Sequence, residues 1–184
     1  GVSVINAGDG NRAHPTQGLL DALTIRQHRP DFENLTVVIC GDISHSRVAR
    51  SDINAFTALG VKEIRLCAPP ELMPTTDEVA EGQRFTDFDE AIEDADAVVM
   101  LRLQKERMAR IELPDEAAYF TRYGLDRRRL ARAAKGCLVM HPGPINRGIE
   151  IASEVADGAQ SRILEQVGNG VFVRMAVLNE VLAR

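Results

Sequence analysis

The chain has 184 residues, 45% of them hydrophobic and 27% charged, a balance found in globular proteins and far from that of disordered or collagen-like chains. A chain of this length folds as one compact unit and buries about 70% of the surface its unfolded form exposes, enough for a sizeable core. Lys and Arg number 22 against 27 Asp and Glu, a net charge of -5, so no cationic field favours nucleic acid or anionic lipid as a partner.

Of the 22 basic residues only Lys62, Lys105 and Lys135 are lysines, leaving nineteen arginines. That skew suits fork-shaped recognition of carboxylates or phosphates, and GC-rich coding would produce it as well. Cys40, Cys67 and Cys137 are odd in number and lack C-x-x-C spacing, which argues against a disulfide framework or a zinc ribbon and for a reducing, cytoplasmic setting. All three border or end apolar runs and read as buried small hydrophobes. No apolar stretch approaches about 18 residues, and GVSVINAGDG lacks the pattern of a signal peptide, so no membrane partner is expected.

In chain order, a β-branched run predicts a strand at Val2–Asn6 and helical spacing predicts a helix at Pro15–His28. A strand follows at Leu35–Cys40 and a helix at Ser46–Leu59, with Phe56, Leu59 and Val61 forming the face that packs on the sheet. Next come a strand at Glu63–Ala68, the turn CAPPELMP, a helix at Asp87–Ala95 and a strand at Ala97–Leu101. Gln104–Tyr123, highly charged and interrupted by Pro114, reads as a loop with a little helix, either a mobile lid or a solvated surface. A helix at Leu125–Ala134, a strand at Cys137–Met140 and a long helix at Ser161–Leu182 complete the chain. Strands alternating with helices predict an α/β fold: a doubly wound, Rossmann-like parallel sheet of about five strands flanked by helices, with no internal boundary.

Ligands of such sheets bind outside the carboxyl ends of the strands. Four of the five predicted strands end in polar segments: NAGDGNRAHPTQG, GDISHSRVARS, LRLQKER and MHPGPINRG. His14 precedes Pro15, which suits the first turn of a helix, so His14 and Gln17 stand near a helix amino terminus that favours an anion or a polarised carbonyl. The imidazole could donate to a carbonyl oxygen gaining negative charge, with the Gln17 amide reaching the neighbouring group; His14 could equally be a capping residue. Arg47 falls at a helix start, where a cation opposes the helix dipole unless an anion sits nearby. Arg102 and Gln104 share one side of an extended segment, and two arginines with one glutamine could hold a dicarboxylate at both ends. Each arginine could also be a plain surface ion-pair partner. Pro142, Gly143 and Pro144 make a rigid turn whose carbonyls could accept from an amino group, with His141 as a structural residue beside it. Glu150 and Glu154 read as a solvated helical turn. There is no P-loop, no G-x-G-x-x-G after a strand, no H-E-x-x-H and no metal-ligand cluster, so neither a cofactor nor a metal is expected.

Together the blocks NAGDGNRAHPTQGLLD, GDISHSRVARS, LRLQKER and HPGPINRGIEI, followed by QVGNGVFVRMAVL, span Asn6 to Leu178. In that order they resemble the carboxyl-terminal, aspartate-binding domain of the aspartate carbamoyltransferases, transferases of pyrimidine biosynthesis that convert carbamoyl phosphate and L-aspartate to N-carbamoyl-L-aspartate and phosphate. The ornithine carbamoyltransferases share the architecture, but HPTQ and R-x-Q-x-E-R go with aspartate as acceptor. The resemblance implies that His14 is the catalytic residue that hydrogen-bonds the carbamoyl carbonyl, with Gln17 near the carbamoyl nitrogen. It implies that Arg47 grips one carboxylate of aspartate, that Arg102 and Gln104 hold the other, and that the Pro142–Gly143 backbone contacts the reacting groups.

The amino-terminal, carbamoyl-phosphate domain of that family carries an S-T-R-T-R motif with no counterpart among the 184 residues. Residues 1–184 are therefore expected to be the aspartate-binding domain alone, inactive in isolation. The resemblance further implies a homotrimer in the intact enzyme and a regulatory or dihydroorotase-type partner in some relatives. Val167, Val171, Phe172, Met175, Val177 and Leu178 are expected to form an exposed patch where the absent domain would pack. Two other readings stay open: a structural assembly domain serving a dihydroorotase-type enzyme, and a generic small-anion-binding module.

Overall fold

The computed structural model describes residues 3–103 and 115–183. Its centre is a five-stranded, wholly parallel sheet in the order β3-β2-β1-β4-β5, made of β1 (Thr36–Cys40), β2 (Glu63–Cys67), β3 (Gln83–Phe85), β4 (Ala97–Met100) and β5 (Leu138–Met140). Helices lie on both faces, so the central strands are buried throughout and are written as continuous apolar runs, TVVIC and AVVM. The accessible surface of 9509 Å² matches the roughly 9,000 Å² that size scaling assigns to a compact chain of this mass.

Helix α1 (Pro15–His28) opens the described fold, and α2 (Arg47–Ala58) joins β1 to β2. Short helices α3 (Phe88–Ala91), α4 (Glu116–Tyr123), α5 (Arg127–Leu130) and α6 (Ser153–Ala156) follow, before the long α7 (Ile163–Leu182). Helices α1 and α2 approach so closely that a Cβ on Gly18 would lie 2.6 Å from the Ser51 carbonyl oxygen. Only a residue without a side chain fits there, and the contact lets the His14 backbone N–H donate to Ser51 Oγ at 2.8 Å. Toward α7, α1 buries polar side chains: Asn169 Nδ2 donates to Thr24 Oγ1 (2.9 Å) and Gln27 Oε1 (2.7 Å).

Three of the expected elements differ, among them the Asp87–Ala95 helix, which shortens to one turn at Phe88–Ala91. Residues 3–6 pair with no strand, and Val4 is 88% exposed; a β-branched run without a ladder partner has nothing to hold it extended. The fifth strand is instead Gln83–Phe85, a polar edge strand beside β2, and an edge needs no apolar run to announce it. The Leu125–Ala134 helix shortens to one turn at Arg127–Leu130. There the buried Arg129 donates to the carbonyls of Phe120, Gly124 and Thr121, satisfying the orphan acceptors at the end of α4, and to Asp89 at 2.7 Å. Leu59 caps α2 and is largely exposed, while Phe56 is fully buried and Val61 packs on the core. Cys40, Cys67 and Cys137 are all buried and free. No helix among the described residues is long and apolar enough to cross a membrane.

Candidate active site

The sheet changes direction between β1 and β4: β2 and β3 lie on one side of β1, β4 and β5 on the other. Crevices of doubly wound sheets form at this switch point, outside the carboxyl ends of the strands. A cleft of about 260 Å³ lies there. His14 and Gln17 reach it from the start of α1, and Ser46, Arg47 and Val48 from the start of α2. Leu101 and Arg102 enter after β4, and Pro142, Gly143 and Pro144 after β5. The structure thus brings together six of the seven expected site residues: His14, Gln17, Arg47, Arg102, Pro142 and Gly143. Gln104 lies outside the described residues. NAGDG follows no strand; it reaches the site as a loop, with Gly8 against the Arg47 guanidinium.

His14 does not act as a side-chain cap on α1. Its backbone carbonyl accepts from the Gln17 and Gly18 N–H groups, leaving the imidazole for other contacts. Its Nδ1 is buried without a hydrogen-bond partner among the described residues. Burial, then the positive charges of Arg47 and Arg174, push its pKa below the ordinary 6.5, so the ring is neutral near pH 7 and carries one N–H. Arg47 is the first residue of α2, where Ser46 supplies the cap by accepting from the Ala49 N–H at 3.1 Å. Among the described residues no carboxylate forms an ion pair with Arg47. A cation at a helix amino terminus, opposite a cleft, is arranged to meet an anion.

The turn after β5 is held from beneath. His141, 1% exposed, accepts from the Gly143 N–H at Nδ1 (2.9 Å), which places its proton on Nε2, facing Glu150 Oε1 at 3.2 Å. His141 is thus structural, as the sequence suggests. Glu150 is not solvated as expected: it is fully buried, bonded to His141 and to the Asn146 N–H. Glu154 is exposed. Sequence reasoning also missed Asp21, Asp52 and Gln166, a buried polar group behind the cleft. Burial pushes the pKa of both aspartates up, Asp52 further because the Asp21 charge faces it while Asp21 keeps hydrogen bonds from Gln166 and Gln17. A lone Asp in a helix carries no signal of burial; only the pairing of α1 with α2 and α7 creates it.

Arginines, an imidazole and two helix starts thus surround the switch-point cleft of a doubly wound sheet. Residues 33–181 match the family model for the Asp/Orn binding domain of aspartate/ornithine carbamoyltransferase, and the chain belongs to that family. Within it, the chain is 59% identical over 184 residues to the aspartate carbamoyltransferase catalytic subunit of Xanthomonas euvesicatoria pv. vesicatoria (strain 85-10), a match covering 99% of this chain and 58% of the relative. The corresponding subunit of Stenotrophomonas maltophilia (strain R551-3) is 55% identical over 183 residues, again with 99% and 58% covered. The chain therefore spans little more than half the length of these curated relatives. Among solved structures, ornithine carbamoyltransferase from Thermus thermophilus superposes with a TM-score of 0.84 at 25% identity, covering 98% of this chain and 59% of that one. Aspartate transcarbamoylase from Trypanosoma cruzi in complex with carbamoyl aspartate and phosphate superposes with a TM-score of 0.75 at 29% identity, over 94% and 56%. The shared fold does not separate the two acceptors; the high sequence identity lies with the aspartate enzymes.

Proposed function

We propose that this chain is the aspartate-binding domain of an aspartate carbamoyltransferase, which moves the carbamoyl group of carbamoyl phosphate to L-aspartate. The observation that carries the reading is the cleft in which Arg47 and Arg102 share one wall system with His14, Gln17 and the Pro142–Gly143 turn. Two guanidinium groups are suited to the two carboxylates of a four-carbon diacid, and the forked, always-charged geometry of arginine orients each. The acceptor's amine, as the free base, attacks the carbamoyl carbon; the new C–N bond forms, the C–O bond to phosphate breaks, and phosphate leaves with the electron pair. The amine proton passes to the departing phosphate. His14, neutral, donates to the carbonyl oxygen as it gains negative charge, and Gln17 meets the carbamoyl nitrogen. Orientation and electrostatics suffice, with no covalent intermediate on the protein.

In this reading the phosphate-binding groups come from polypeptide outside these 184 residues, so the chain by itself is inactive and the complete enzyme works as a homotrimer. Gln104 joins Arg102 at the second carboxylate. The test is to mix the chain with a separately made amino-terminal, carbamoyl-phosphate domain of one of its relatives, and to assay carbamoyl aspartate. Product is expected only from the mixture, and Arg102→Ala lowers kcat/KM for aspartate about a hundredfold, the cost of a charge-assisted contact pair. Activity of the chain alone, or full activity of the Arg102→Ala mixture, contradicts it.

A further inference from the structure

Behind the cleft, between α1, α2 and α7, lies a polar group that none of these steps uses. Asp21 and Asp52 are fully buried, and the charge of Asp21 bears on Asp52. Two buried carboxyl groups so close cannot both carry a charge, so one of them holds a proton. Neither Asp52 oxygen receives a hydrogen bond from an N–H or hydroxyl donor among the described residues. Asp21, in contrast, accepts from Gln17 Nε2 at 3.1 and 3.3 Å and from Gln166 Nε2 at 2.6 Å. The donors gather at Asp21, so the charge sits there and the proton on Asp52. Gln166 in turn accepts the His141 N–H at Oε1, at 2.8 Å, which ties the same group to the turn after β5.

An ionised carboxylate can only accept, and this has a consequence for the cleft. Gln17 must present its NH2 to Asp21, and its Oε1 is the amide atom left for whatever occupies the cleft that Gln17 lines. We propose that Asp21 is a positioning residue: it sets the Gln17 amide so that the cleft offers an acceptor to the N–H end of the transferred group. This inference rests on the carbamoyl-transfer reading above. It explains how the site would separate a carbamoyl group from an acetyl group of the same shape, since a methyl in place of NH2 leaves the Gln17 oxygen unpaired.

The test compares carbamoyl phosphate with acetyl phosphate as donors to aspartate, in the complete enzyme, for wild type, Asp21→Leu and Asp21→Asn. Asp21→Leu is expected to lower the ratio of kcat/KM for the two donors about tenfold, the worth of one such hydrogen bond. Asp21→Asn, which keeps an acceptor oxygen toward Gln17, restores most of the ratio. A purely structural role would lower both donors alike and leave the ratio unchanged, which overturns the proposal while the carbamoyl-transfer reading stands. A wild-type enzyme that uses neither donor overturns both. If Asp21→Leu does not fold, hydrogen exchange of the Gln17 side-chain amide in wild type decides: strong protection is expected, and exchange at the rate of an exposed glutamine contradicts the proposal.

Discussion

The guanidinium of Arg47 occupies the space that a side chain at position 8 would need: a Cβ on Gly8 would lie 2.6 Å from Arg47 Nη1 and 2.9 Å from Cζ. Gly8 also has φ of +130°, a conformation that strains any other residue. The NAGDG loop thus sets where the cation at the start of α2 stands. Gly8→Ala is expected to displace Arg47 and weaken binding of succinate, an aspartate analogue, about ten- to a hundredfold, the loss of one charge-assisted contact. Isothermal titration of the two proteins checks this, and equal affinities would contradict it.

His14 is expected to titrate below 6.5, because burial and then the charges of Arg47 and Arg174 disfavour the imidazolium. Its folded value lies under its unfolded one, so its contribution to stability is complete above the unfolded pKa and fades as pH falls through the folded value. Arg47→Gln removes one of the two charges and should raise the midpoint part of the way, burial and Arg174 remaining. NMR titration of the ring measures both, and a midpoint at or above 6.5 in the wild type would sink the argument for a neutral donor.

Arg129 joins three carbonyls at the end of α4 to Asp89. Arg129→Ala should destabilise the fold by about 3 kcal/mol, since it takes a buried donor from the carbonyls of Thr121 and Gly124 and leaves Asp89 to Arg128 alone. Urea unfolding gives the difference. The hydrogen bonds of Arg128, followed by those of Arg129, hold Asp89 down at about 2, against the ordinary 3.8. This contribution is full above pH 4 and is lost as pH falls through about 2, so Asp89→Asn should flatten that part of the acid-unfolding curve.

On α7, Val167, Val171, Phe172 and Met175 are each 60% exposed or more, Leu178 is 49% exposed, and Val177 is half-buried. Such a face on one helix is more than scattered surface hydrophobicity. In the functional reading it receives the remainder of the enzyme, so the chain made alone should self-associate with rising concentration. Sedimentation would show Phe172→Ser with Met175→Ser shifting it toward monomer. A strictly monomeric wild-type chain at high concentration would count against that use of the helix.

Much of this fold is legible without coordinates, because buried parallel strands are written as apolar runs: TVVIC and AVVM can be little else. The same rule misplaced residues 3–6, whose β-branched side chains meet no partner strand, and overlooked Gln83–Phe85, whose pairing depends on β2 and not on its own composition. At the cleft, His14 and Arg47 could be singled out because Pro15 and the α2 start fix where helix termini fall. Asp21, Asp52, Gln166 and Glu150 could not. Each reads as a solvated polar residue until the fold closes over it, as Gln166 does on Asp21 from 145 residues away in sequence. The sheet pattern is local; the polar network is tertiary.

The most direct test of the central claim is an NMR titration of arginine-labelled protein with succinate, with inorganic phosphate as competitor. The guanidinium resonances of Arg47 and Arg102 should shift together and saturate, phosphate should not displace the diacid, and Arg102→Ala should abolish the response at both. Arginine signals that stay unmoved at saturating millimolar succinate, or that respond to phosphate alone, would contradict a dicarboxylate site at the sheet's switch point.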